Sequence, residues 1–500
     1  MICAIASPCS RVLPKMSEPH RLHPAAIMLW TLRFARELFI PAFIPLGIQF
    51  FRHGLDILNA QTMVLVAAGL LVLLLASGTY GVLAWRRFTY RIDEGELRVE
   101  QGVISRNRRF IPLERIQAVD LSQGLLQRLL GVVRVQVETA GGGRSSPEVS
   151  LAAVSRDDAN RLRRALAGQH ETLDEHPQLE APAPVRRLAF ADLLIAGSTS
   201  GRVGIALSIV VSIIAFADDL IPFDAIAGQF GRLSGFGAVV LAALLFAGFV
   251  WFLGVLGTTL AHAGFTLTRD GDNLTIERGL LERRHATIPI DRIQSIRVVE
   301  GIVRQPFGLV ELRIDSAGYG EHSGESTVLF PLLRRDDVLP FLREMTPALA
   351  ALATFNQLPS RARRRYALRL SQVGPAIALA ALPAIALFPL GLVALLLIPA
   401  VMLLGLWQYR TAGWVVENDT LLLRWRILSR TTVILPRRRI QQAESRRTPF
   451  QRRVRLATFA ARVASGGSGA AFDLQHMDDA EANRLLAWFA AGRRTGTTEL

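Results

Sequence analysis

One short passage is written three times along this chain, and a chain built that way has to be read as copies of one unit. It runs Ile111-Pro112-Leu113-Glu114-Arg115-Ile116-Gln117, then Ile288-Pro289-Ile290-Asp291-Arg292-Ile293-Gln294, then Leu435-Pro436-Arg437-Arg438-Arg439-Ile440-Gln441. The arginines stand 177 and then 147 residues apart. A turn-forming triplet precedes a leucine upstream of each copy: Asp93-Glu94-Gly95 before Leu97, Gly271-Asp272-Asn273 before Leu274, Glu417-Asn418-Asp419 before Leu421. An arginine falls six residues before each proline, at Arg106, Arg283 and Arg430. Gly131 and Gly308 hold equivalent places downstream, and an Asp-Asp pair opens a closing helix at Asp157, Asp336 and Asp478. An internal repeat decides the architecture ahead of any local propensity.

Long apolar stretches separate the copies. The chain is 50% hydrophobic yet 20% charged, a mixture that calls for apolar segments alternating with charged ones. Residues 61–85 read as a membrane helix, uncharged until Arg86-Arg87. Ahead of it, Pro41 and Pro45 interrupt the apolar run 38–51, a marginal span on its own, since crossing takes about 20 apolar residues. A second pair is expected near 203–221 and 237–260. A third, near 373–388 and 390–407, reads as two tight spans or a re-entrant loop. Each soluble unit shows period-2 alternation, as in Leu97 and Val99 or Val133, Val135 and Val137, which marks half-buried strands. Ser155 followed by Asp158 is a capping-box start for the first closing helix.

The resulting fold class is an α-helical integral membrane protein combined with α+β domains, in three repeats of a helix hairpin followed by an antiparallel β domain. The expected boundaries are a disordered N-terminus at 1–21 (with Met16 the more natural start), hairpin 1 at 22–87, domain 1 at 88–168 and a linker at 169–187. Hairpin 2 follows at 188–264, domain 2 at 265–345, a basic linker with hairpin 3 at 346–411, domain 3 at 412–492 and a tail at 493–500.

Net charge is +15, and Lys15 is the single lysine among 57 basic residues. Such basicity suits nucleic acid or a membrane surface; arginines flanking apolar runs favour the membrane and no nucleic acid. They cluster where the hairpins meet the soluble units, so the positive-inside rule puts those units in the cytoplasm. Cys3 and Cys9 are the only cysteines and cannot staple the repeats.

These repeated residues, with the hairpin before each unit, resemble the bacterial pleckstrin-homology-like domain of the YdbS/YdbT-like membrane-protein family. The resemblance implies two packed antiparallel sheets capped by a helix, with no catalytic residue to carry over; some relatives are associated with resistance to membrane-active bacteriocins. The third copy departs from the pattern: Arg438 replaces the acidic residue, Arg426 the Gly102/Gly279 position and Arg455 the Gly131 position.

Arg115, Arg292 and Arg439 are the binding candidates, for an anionic lipid headgroup or a partner's acidic segment, because a guanidinium fork matches phosphate and carboxylate. The competing reading pairs each with a local acid such as Glu114 or Asp291, or lays its stem on the sheet. Gln117, Gln294 and Gln441 accompany them, either in the site or satisfying backbone groups at a strand end. The basic cluster Arg361–Arg365 reads as a topology determinant. No catalytic, metal or cofactor motif stands out: there is no His-Glu-x-x-His and no Cys-x-x-Cys. The expectation is a non-enzymatic platform for a membrane-protein partner or anionic lipid, serving envelope stress or antimicrobial-peptide tolerance. The alternative is an exporter of an apolar or peptide substrate that the β domains regulate.

Overall fold

The computed structural model describes residues 19–53, 60–93, 95–103, 105–113, 116–139, 149–167, 185–199, 236–316, 327–351, 353–371, 391–465 and 469–495. The first unit contains β1 (His20–Arg21), the helices Ala25–His53 and Ala60–Arg87, and β2 (Thr89–Asp93), β3 (Glu96–Gln101) and β4 (Asn107–Pro112). It continues with β5 (Ile116–Gln123), β6 (Val132–Thr139), β7 (Val149–Ser155) and the helix Arg156–Ala167. The second has β8 (Val185–Arg187), helices Phe190–Ser198 and Phe236–His262, then β9 (Thr266–Asp270), β10 (Asn273–Arg278) and β11 (Arg283–Pro289). After these come β12 (Ile293–Glu300), β13 (Leu309–Ser316), β14 (Thr327–Arg334) and the helix Val338–Met345. The third repeats the order: β15 (Asn356–Gln357), helices Ala362–Ser371 and Gly391–Thr411, β16 (Gly413–Glu417), β17 (Thr420–Arg426) and β18 (Arg430–Pro436). It ends with β19 (Ile440–Arg446), β20 (Leu456–Val463), β21 (Ala470–Asp478) and the helix Asp479–Thr495.

Each unit is two antiparallel sheets, four strands and then three, and the units share sheets. β5 of the first unit pairs with β11 of the second, and β12 of the second with β18 of the third, so the sheet orders run β7-β6-β5-β11-β10-β9-β8 and β14-β13-β12-β18-β17-β16-β15. The repeat offsets hold residue by residue: Val119 faces Val137, Ile296 faces Ile314 and Ala443 faces Ala461 in equivalent ladders. Alternation along the strands sends Leu97, Val99, Val135, Val137 and Leu151 into the first core and Leu267, Leu274 and Leu312 into the second. Burying each such side chain stabilises the fold by roughly 1.5–3 kcal/mol. Leu422 and Ile434 of the third unit pack into the second unit's core, which makes that seam apolar.

The edge strands β1, β8 and β15 come from stretches read as disordered N-terminus or linker. Each pairs with the strand that follows its own helix pair: His20 with Tyr90, Val185 with Thr268, Asn356 with Trp414. Two or three residues carry no readable periodicity, and only the long-range ladder reveals them. The rest of the expected disordered N-terminus, residues 1–18, lies outside the described residues.

The first helix runs unbroken from Ala25 to His53, where the sequence suggested an interruption at Pro41 and Pro45. Each proline removes one hydrogen bond, and the rest of the ladder carries the helix through. The second pair's first described helix, Phe190–Ser198, begins within the expected hairpin 188–264 and ahead of its 203–221 span; residues 200–235, with that span, lie outside the described residues, as do 372–390 with the expected 373–388 span of the third pair. Within the pairs, glycines let the backbones approach. A Cβ on Gly197 would stand 3.1 Å from Val255 O, and one on Gly405 would collide with Tyr366 O, the small-residue contact that membrane helices favour. Two described helical stretches, Met63–Arg87 and Leu244–His262, are long and apolar enough to cross a bilayer.

Candidate functional site

The repeated motif forms a corner. Proline ends the outer strand of the first sheet, where it has no onward ladder to supply. A short turn follows, and the chain enters the second sheet. The turn is fixed the same way each time by one backbone bond to the hairpin turn upstream: Leu113 N–H to Gly95 O (2.9 Å), Ile290 N–H to Asp272 O (2.8 Å), Arg437 N–H to Asp419 O (2.8 Å). In the third unit Arg437 also stacks on Trp488, 4.9 Å from the ring centre, and binds Asp419 at 3.0 Å, tying the corner to the closing helix.

The corners lie at the far end of the sheets from the helices. β9 leaves the helix ending at His262, the turn at Gly271 reverses it, and β10 returns to Gly279, whose N–H bonds Ala263 O at 2.8 Å. β11 then runs out again to Pro289. At about 3.3 Å per residue, the six-residue β10 puts roughly 20 Å between the helix ends and the corner.

Arg292 is half-buried, 3.9 Å from Asp291. Gln294 is buried and donates to Arg292 O at 3.0 Å, bracing the corner's own backbone. Burial, then the adjacent Arg438, push the Arg439 guanidinium below its ordinary value; Asp291 opposes this and Arg292 adds to it. The second and third corners therefore lie within electrostatic reach of each other. Beside them opens a cleft of about 620 Å³ between the two units, bordered by Ala348 and Asn418 and by Arg437, Arg438, Gln441 and Phe489. Arg438 and Gln441 are exposed. Arg115, with Glu114, lies outside the described residues, and Gln117 is placed only as part of β5. The structure thus brings Arg292 and Arg439 together and adds Arg438, which the sequence marked only as the loss of an acid. Of the Arg361–Arg365 cluster, Arg361 pairs with Asp478 and Arg365 donates to Phe450 O at 2.8 Å, so these two brace the third domain.

The helix-proximal ends have the opposite character. Leu280, Leu281, Ile427 and Leu428 are 45–69% exposed at the tips of equivalent loops. The loops are held against the helix ends, by Leu280 N–H to Leu260 O (2.9 Å) and by Gln408 Nε2 to Ile427 O (3.1 Å). Leu126, Val303 and Phe450, equivalent to one another, are exposed on the same rim. Arginines stand among them: Arg426 covers Trp407 at 3.7 Å, and Arg424 donates to Thr411 O at 2.9 Å. Burial, then Arg430, lower both guanidiniums below their ordinary value. Arg304 is buried and ties the second unit to the helix Phe190–Ser198, reaching Ala196 O (3.1 Å), Thr199 Oγ1 (3.0 Å) and Glu311 (2.9 Å). Among the described residues no group of three His, Cys, Asp or Glu is placed to hold a metal.

The bacterial PH domain family model matches residues 39–170, 208–348 and 374–493, one match for each repeat. The chain belongs to the bacterial PH domain family. Among its bacterial PH relatives, the UPF0699 transmembrane protein YdbT of Bacillus subtilis is 31% identical over 505 residues, covering 96% of this chain and all of that protein. The UPF0699 transmembrane protein YdbS of the same organism is 30% identical over 91 residues, 18% of this chain and 52% of that one. No solved structure matches.

Proposed function

We propose that this chain is a non-enzymatic, multi-pass inner-membrane platform. Its helix pairs hold three PH-like units against the cytoplasmic face, and its basic corner serves an acidic segment of a protein partner. The observation carrying this reading is the opposition of the two ends: an apolar, arginine-studded rim beside the helix ends, and a basic cleft about 20 Å away. Exposed leucine, isoleucine and phenylalanine interspersed with arginine suit the headgroup region of a bilayer. Each helix pair begins and ends on hydrogen-bonded neighbours, and shared sheets join the units, so a membrane crossed by the pairs has all three units on one side. Arg86-Arg87 and Arg186-Arg187 favour the cytoplasmic side.

Anionic lipid of the same bilayer is out of reach of Arg292 and Arg439 and within reach of the exposed rim arginines Arg128 and Arg452, two residues beyond Leu126 and Phe450. Lipid contact therefore goes to the rim, and the corner is left for protein. Tolerance of membrane-active peptides is the physiological outcome this predicts, read from killing curves of a deletion strain. The direct test is to purify the full chain gently in detergent and identify what accompanies it. Arg438→Ala/Arg439→Ala should lose a stoichiometric protein and keep bound lipid, whereas Leu280→Ser/Ile427→Ser should reduce lipid. A corner variant that keeps its full complement of protein would overturn the assignment. Reporter fusions after Arg87, Arg187 and Arg410 check the orientation, and an external report at any of them contradicts it.

A further inference from the structure

The two seams between units are built in one register. Arg283 stands opposite Gln123 at the first and Arg430 opposite Glu300 at the second, and these are the same pair of repeat positions. At the second seam Leu422 and Ile434, facing each other in the β17–β18 ladder, are covered by the preceding unit. Their counterparts in the first unit are Arg98 and Phe110, which face each other likewise. Among the described residues no unit stands ahead of the first. Among the described residues, the outer edge of β4 pairs with no strand.

Exposed Arg106, Asn107 and Arg108 lie along that edge. Charge alone blunts an edge strand, but blunting does not account for Phe110. The residue is 56% exposed, with the Arg98 guanidinium 5.6 Å from its ring centre, in mid-strand and roughly 13 Å from the rim, at the position that docking buries two units further on.

The other end of the array is different. Where the second unit has Val298, Val299 and Glu300, the third has Ser445, Arg446 and Arg447. In the common register a second copy of this chain would set Arg447 against Arg106, and like charges directly opposite each other destabilise a ladder.

We propose that β4 is a docking edge for a PH-like unit of a different chain. That unit presents apolar residues at the positions of Val298 and Val299, and a carboxylate or amide at that of Glu300 and Gln123. Arg446 and Arg447 keep this chain's own last unit off the edge.

The probe is this chain refitted as a donor. In a Cys3→Ser/Cys9→Ser background, the donor carries Ser445→Val, Arg446→Cys and Arg447→Glu, with Arg106→Glu and Phe110→Arg closing its own edge. The acceptor is the full chain with Asn107→Cys in the same background, and both are purified in detergent. Light scattering should give a 1:1 complex and oxidation a disulfide between positions 446 and 107, the pairing equivalent to Ser122 with Arg284. Phe110→Arg in the acceptor should weaken the complex at least tenfold, and the acceptor alone should stay monomeric. A donor with only Arg447→Glu and Arg446→Cys preserves the ranking if the fuller set folds poorly. Absence of complex and disulfide with both donors overturns the proposal. So does equal cross-linking when the last unit keeps Ser445 and Arg447.

Discussion

Arg430 and Glu300 clamp the seam between the second and third units, and removing one without the other should open it measurably. Two bonds join them: Arg430 Nε donates to one carboxylate oxygen at 2.7 Å and Nη2 to the other. The side chains are only 18% and 5% exposed, so screening is weak, and at an effective dielectric near 20 the attraction is about 4 kcal/mol. Desolvation offsets part of it. Taking away one partner strands the other charge, however, at a cost of roughly 3 kcal/mol. Arg430→Met should therefore raise the opening equilibrium of the β12–β18 ladder about a hundredfold, at 1.4 kcal/mol per tenfold. The double variant Arg430→Met/Glu300→Met should return to within about tenfold of the parent, because an apolar pair of similar volume replaces a buried ion pair at little cost. Amide exchange at Val298, Val299, Thr431 and Thr432 reads this locally, which matters in a multidomain chain without a single two-state unfolding energy. An Arg430→Met variant within threefold of the parent, or a double variant costing the sum of the singles, would refute the clamp.

Asp158 begins the first closing helix, accepting from Ser155 Oγ at 2.6 Å and pairing with Arg161. Burial alone would raise its carboxyl, but the Ser155 hydrogen bond and Arg161 hold it below the ordinary value. A lowered folded value stabilises above the unfolded pKa of about 3.9. That contribution should disappear as pH falls through the folded value, and Asp158→Asn should flatten the acid limb of a melting-temperature profile. Gly279 has φ +101, and a Cβ there would stand 2.0 Å from Glu282 O. Gly279→Ala should cost about 1–3 kcal/mol, seen as a lower melting temperature. Arg304→Ala removes a cation whose carbonyl partners Ala196 and Pro331 are buried, so amide exchange at the end of the helix Phe190–Ser198 should accelerate by about tenfold or more.

The three units, their closing helices and the turns were legible because their signals are local: a turn triplet, period-2 alternation, Asp-Asp at a helix start. Even the third copy's departures keep the geometry. Arg455 takes the left-handed conformation, φ 52, that Gly131 and Gly308 hold at φ 69 and 62. At Arg426 the chain drops the glycine kink and extends β17. The shared sheets were not legible, because β5 meets β11 only through contacts some 160 residues apart, and no residue type announces a seam. The repetition of the motif arginines was legible, but their distance from the helix ends was not. That distance follows from counting strands out and back, which requires the ladder. Arg438 was visible in the sequence as the loss of an acid, and its place beside the cleft follows only from the fold.

The strands that precede the helix pairs bear on how such a chain is made. β1, β8 and β15 each wait for a partner that the ribosome supplies only after both helices have emerged. A hairpin with a single helix threaded would leave His20 and Tyr90 on opposite faces of the bilayer, and the first sheet would lack its edge. If both helices cross the bilayer, completion of the sheet reports that crossing, and a protease on the side of the β units would find Leu22 and Phe88 uncovered where threading had failed. Duplication faces the same constraint: the segment copied has to begin at the edge strand, ahead of the helices, or the new unit cannot close.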